Sequence, residues 1–122
     1  MNKFEEKVED FCEEIKNKEV YQDFEQARTD LEENKEAQEL LEDFKEERRL
    51  LDIYREGDFS EVKKQKEKVE KLAEEVRNNE IVSTYLDTKN KFRQFIGKTA
   101  QKISEEIDFP LQLPKKGGGC GC

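Results

Sequence analysis

Two thiols stand one residue apart in the run Gly117-Gly118-Gly119-Cys120-Gly121-Cys122. Thiolates bind soft metals and iron–sulfur clusters or take part in thiol–disulfide exchange. The glycines beside them let the backbone come close to whatever is bound. One C-x-C pair supplies half of a four-thiolate site, and its sulfurs are too close in sequence for an easy disulfide. Two copies, from a dimer or from a partner subunit, complete the four thiolates that a [4Fe–4S] cluster or a zinc ion takes. The alternative is an inert tail or a labelling tag. The third thiol, Cys12, follows Phe11 beside an apolar helix face, where partial burial as a small hydrophobe is the expectation.

The remaining chemistry is sparse. With no histidine in the chain, Ser-His-Asp and Cys-His catalysis, His-ligated zinc and the Glu-x-x-His di-iron pattern are excluded. Carboxylate pairs such as Glu13/Glu14, Glu32/Glu33 and Glu105/Glu106 occur in a chain that is 44% charged, so they read as solvated surface. No glycine-rich phosphate loop follows a strand. The expectation is therefore a protein that is not an enzyme. A formal charge of −8 opposes direct nucleic-acid binding, which relies on cations neutralising phosphates. The basic run at Lys63, Lys64, Lys66, Lys68 and Lys71 alternates with Glu61, Glu67 and Glu70 and reads as a solvated helix face. No segment has the ~18 apolar residues of a membrane span, and no signal-peptide core is visible near Met1. A cytoplasmic protein is expected, in which thiols serve metal or redox chemistry before structural disulfides.

The elements that position these residues follow from periodicity. Only 33% of the residues are hydrophobic, but they recur at helical spacing, so burial can still offset chain entropy. Residues 3–16 carry Phe4, Val8, Phe11 and Ile15 on one face. Asn17 is expected to cap a second helix bearing Val20, Tyr21, Phe24, Ala27 and Leu31, and Asn34 a third with Ala37, Leu40, Leu41, Phe44, Leu51 and Tyr54. Gly57 suits a left-handed residue after that helix, with a turn at 56–59. Ser60 opens a fourth helix, the weakest, because Gln65 and Lys66 interrupt the stripe of Val62, Val69, Leu72 and Val76. Asn79 caps the longest element, 80–107, about 42 Å of unbroken helix that must pack lengthwise on a neighbour. Gly97 within it marks an expected close helix approach. Pro110 and Pro114 then begin an extended tail. The expected fold is all-α: an elongated bundle of about five helices over residues 1–108, followed by a Pro/Gly-rich tail over 109–122. So thin a core predicts self-association along a helical face.

Residues 20–51 and 78–108 resemble the YlbF/YmcA family of small helical regulatory proteins. The resemblance rests on a Y-x-x-F-x-x-A opening at Tyr21, Phe24 and Ala27, on EAQELLEDF over 36–44, and on I-x-x-x-I-D closing the long helix at Asp108. It implies an all-α protein that self-associates or pairs with family homologues. In Gram-positive bacteria such proteins join a PSP1-domain partner in a complex that binds iron–sulfur clusters through cysteines. That complex guides ribonuclease Y in mRNA maturation and affects competence, biofilm formation and sporulation. By the same resemblance the ligands would be Cys120 and Cys122, holding a cluster shared between subunits. The chain departs from the pattern in its very short C-x-C tail. The expected function is thus a non-enzymatic adaptor acting through protein partners, with tail thiolates on an iron–sulfur cluster. A small metal carrier or thiol-redox protein, and a structural coiled-coil or chaperone-like protein, are the alternatives.

Overall fold

The computed structural model describes residues 2–57 and 60–111. Five helices account for nearly all of them: α1 (Lys3–Lys16), α2 (Glu19–Glu32), α3 (Lys35–Glu56), α4 (Val62–Asn78) and α5 (Glu80–Ile107). No strand occurs among the described residues. The tail from residue 112 on lies outside them.

Asparagine side chains start three of the helices. Asn2, Asn34 and Asn79 accept the backbone N–H of Glu5, Ala37 and Val82 at 2.8, 2.8 and 3.0 Å, each satisfying a donor that the first helical turn leaves unpaired. Two expected caps do not form. Asn17 ends α1 in a right-handed conformation instead of starting α2, and Lys18 stands at the α2 N-cap with no side-chain bond. Ser60 lies in a turn, with Glu61 before α4 and no side-chain cap there. Gly57 is extended (φ −111°, ψ 176°) and not left-handed. The left-handed residue is Asp108 (φ 51°), which ends α5. Ser104 secures that end: its carbonyl accepts the Phe109 N–H at 3.2 Å and its Oγ accepts the Leu111 N–H at 2.9 Å. Pro110 disfavours helical geometry at Phe109 and so confirms a stop already made at Asp108.

α2 packs chiefly along α5, and α3 chiefly along α4. The two pairs meet where the α2–α3 and α4–α5 corners converge, around Leu31, Ala37, Leu41, Val76 and Val82. Leu40, Phe44, Ile81, Tyr85 and Leu86 pack against this cluster from outside. The Gln38 amide braces the first corner by donating to the carbonyls of Leu31 and Glu32 at 2.8 and 2.7 Å, the first of which also accepts the Asn34 N–H at 3.1 Å. Away from the corners, α2 and α5 are joined by rings. Phe92 stacks on Phe24 at 5.8 Å and meets Tyr21 edge-on at 5.4 Å, while Tyr85 lies 5.8 Å from Phe24. Arg28 covers the Phe24 ring, 5.2 Å from its centroid.

Gln65 does not interrupt the α3–α4 pairing; it fastens it. Nearly buried, its amide nitrogen donates to both the carbonyl and the carboxylate of Glu47 at 2.9 Å, and Lys68 reaches the same carboxylate at 3.2 Å. The carboxyl of Glu47 is held below its ordinary 4.5, first by the Gln65 hydrogen bond; desolvation works the other way, and Lys68 adds a further lowering. The other ion pairs run along single helices between exposed side chains, as in Lys91–Asp87 and Lys102–Glu106, and each contributes a few tenths of a kcal/mol, about 0.3–0.5.

Gly97 marks no close approach: a Cβ built there meets nothing within 4 Å. Gly97→Ala should therefore stabilise the chain by about 0.5–1 kcal/mol through lower unfolded-state entropy, seen as a higher melting temperature by circular dichroism. Val82 is fully enclosed, and Val82→Asp, which buries an unpaired carboxylate, should abolish cooperative unfolding. Gln65→Leu should cost about 1 kcal/mol at neutral pH and return the Glu47 carboxyl toward its ordinary value. Stability from a lowered carboxyl is fully present above the unfolded value near 4.5 and is lost as pH falls through the lower folded value. The gap between wild type and variant should accordingly narrow below pH 4.5, in denaturant melts paired with carboxyl NMR titration of Glu47.

Candidate functional site

Cys120 and Cys122, the expected ligands, lie outside the described residues. Cys12 lies within them. It is exposed on α1 and joined to no other cysteine there, which overturns the expected partial burial. The reason is the path of the chain at the end of α1. At Asn17 and Lys18 the backbone turns a corner closed by its own hydrogen bonds: the Asn17 N–H to the carbonyls of Glu13 and Glu14, the Lys18 N–H to Ile15, and the N–H groups of Tyr21 and Gln22 to Lys18. The corner carries α1 off the bundle. Its backbone approaches only α2, and none of its residues is buried.

The periodic face of α1 therefore stands in solvent. Phe4 is 74% exposed, and Val8 and Phe11 are also exposed. A second bare apolar strip lies at the far end of α5. The stripe that α2 covers at Tyr85 and Phe92 runs on through half-buried Ile96 and Ala100 to Ile103 and Ile107, which are exposed, Ile107 at 57%. Phe109, at 62%, and Leu111 extend it past the helix end. Scattered exposed apolar residues are ordinary on soluble proteins, but contiguous stripes of this kind mark contact surfaces.

Charge is sorted along the same two elements. α1 carries six carboxylates against three lysines, and of these only Lys16 and Glu13 form an ion pair, at 3.6 Å. Residues 89–102 carry Lys89, Lys91, Arg93, Lys98 and Lys102 and no carboxylate. Lys91 and Lys102 pair with Asp87 and Glu106, and Lys89 lies 5.6 Å above the Tyr85 ring, whereas Arg93 and Lys98 pair with nothing among the described residues. Net charge conceals this segregation. A sliding window of charge along the sequence would have found it.

Among the described residues, no group of three or more His, Cys, Asp or Glu side chains could hold a metal ion. The crevice between α3 and α4 is lined by Arg48, Arg55 and Lys66 together with Asp52 and Glu70, so its charges are mixed. No described helix is long and apolar enough to cross a membrane.

The family model described as "Control of competence regulator ComK, YlbF/YmcA" matches residues 4–108, which is α1 through α5 and the Asp108 stop. No curated protein and no solved structure matches the chain.

Proposed function

The chain belongs to the YlbF/YmcA family, and we propose that within this family of competence regulators it is a non-enzymatic adaptor, working by contact with other proteins and with further copies of itself or its homologues. The observation that carries this reading is the pair of bare apolar strips on α1 and the end of α5, in a chain whose core is too thin to use them internally. A catalyst needs an enclosed site with positioned acids, bases or nucleophiles. An adaptor needs exposed surface of defined shape and charge, which is what the five helices supply.

The tail completes the proposal. Cys120 and Cys122 bind an iron–sulfur cluster, with zinc as the other metal that suits thiolates. The donor set fits a shared site: each chain brings two thiolates, and two chains bring the four of a [4Fe–4S] cluster. A bound cluster would tie the state of the assembly to redox conditions and iron supply. The downstream process on this reading is control of mRNA processing, reached through protein partners and not through direct contact of this acidic chain with RNA.

Protein purified anaerobically with its partners should be coloured, with iron and acid-labile sulfide in equal amounts. Cys120→Ser with Cys122→Ser should remove both without changing helicity. Colourless, metal-free wild-type protein from that preparation would rule the cluster out. A chain ending at Lys116 should still retain its protein partners in a pull-down, because the helices carry the contacts; loss of every partner would show that the tail is the functional part.

A further inference from the structure

We infer that α1 of one copy lies antiparallel on residues 96–107 of α5 in a second copy, and that the second copy returns the same contact. The inference rests on the self-association in the reading above and is independent of the cluster.

Four observations carry it. The first is continuity: α2 covers the α5 stripe as far as Phe92 and then ends at Glu19, and the stripe runs on through half-buried Ile96 and Ala100 to exposed Ile103 and Ile107, a ready-made continuation of an existing helix–helix seam. The second is fit. α1 has 14 residues with Phe4, Val8, Phe11 and Ile15 on one face, and the open part of α5 offers a strip of similar length with the same number of apolar positions. The third is the corner at Asn17–Lys18, whose backbone hydrogen bonds turn α1 away, so that it approaches α2 but not its own α5 and its apolar face stays open to a second copy. An isolated helix of this length is marginal in water, and α1 needs a neighbour to persist.

The fourth is charge, which also sets the direction. Run antiparallel, Phe11 faces Ala100 and Phe4 faces Ile107. The acidic second half of α1, with Glu13 and Glu14, then meets the unpaired Arg93 and Lys98, while Lys3 and Lys7 meet Glu105 and Asp108. Run parallel, Lys3 and Lys7 would face Lys98, and Glu13 and Glu14 would face Glu105 and Glu106. Like charges opposed across an interface select against the wrong orientation. The arrangement is a two-fold exchange of identical elements, which closes.

Cross-linking in a chain carrying Cys12→Ser, Cys120→Ser and Cys122→Ser tests this. Val8→Cys protein mixed with Ile103→Cys protein should give a disulfide-linked dimer under mild oxidation, and Ile103→Cys alone should not. In sedimentation, Glu13→Lys with Glu14→Lys should weaken the dimer by about tenfold, and adding Arg93→Glu with Lys98→Glu should recover the loss. A self-linked dimer of Val8→Cys would place α1 on α1 and overturn the inference. A Val8→Cys/Ile103→Cys chain that closes on itself as a monomer would equally overturn it, by placing α1 on its own α5. A dimer with no mixed cross-link defeats this pairing but leaves self-association standing; a wild-type chain that stays monomeric at high concentration defeats both.

Discussion

Apolar side chains are scarce in this protein, and where they converge determines everything else about it. The helices can close one tight cluster, around Val82 at the junction of the two corners, and one ring-lined seam between α2 and α5. Burying a large apolar side chain stabilises a fold by about 1.5–3 kcal/mol, so a handful of such residues must balance the ordering of a long chain. Polar groups supplement them where they can. Gln38 closes the carbonyl end of α2, and Gln65 clamps α4 to α3 through Glu47. Neither bond is worth much alone, but each lies at a place where an unmet backbone or side-chain group would cost as much as a lost core contact. The bundle is held by one hydrophobic knot and a few polar braces spaced along the helices that leave it.

That economy explains which parts of the fold were legible in the sequence. Helix number, order and extent come from local periodicity, and the five stripes correspond to the five helices. Asn34 and Asn79 act as caps because the capping bond spans only three residues. The misreadings of Gln65 and Gly97 share a cause: each depended on what lies across space. Gln65 looks like a break in a stripe until Glu47 is found opposite it. Gly97 looks like a contact point until the neighbouring space proves empty. Asn17 has the side chain of a cap, but the turn that follows is closed by backbone groups, and side-chain type could not reveal that.

The corner at Asn17–Lys18 also separated the candidate site from its expected description. An amphipathic face in a sequence shows that something covers it, not what. For α2 to α4 the cover is another helix of the same chain, and for α1 it is not. The exposure of Cys12 follows from the same geometry, since a thiol beside the α1 stripe is only as buried as the stripe itself.

Net charge and charge placement act at different ranges, and this chain separates them. At distances beyond a Debye length of about 8 Å in physiological salt, only the net surplus of carboxylates is felt. At contact distance, the unpaired Arg93 and Lys98 on one element and the unpaired acids of α1 on another act as local labels that the average conceals. Such labels contribute little to the stability of a folded monomer, where exposed ion pairs are worth a fraction of a kcal/mol. They matter when two apolar strips must choose between orientations that bury the same area. Hydrophobic burial is indifferent to direction, and charge is not. On the adaptor reading proposed above, specificity comes from the charges that flank the few apolar residues.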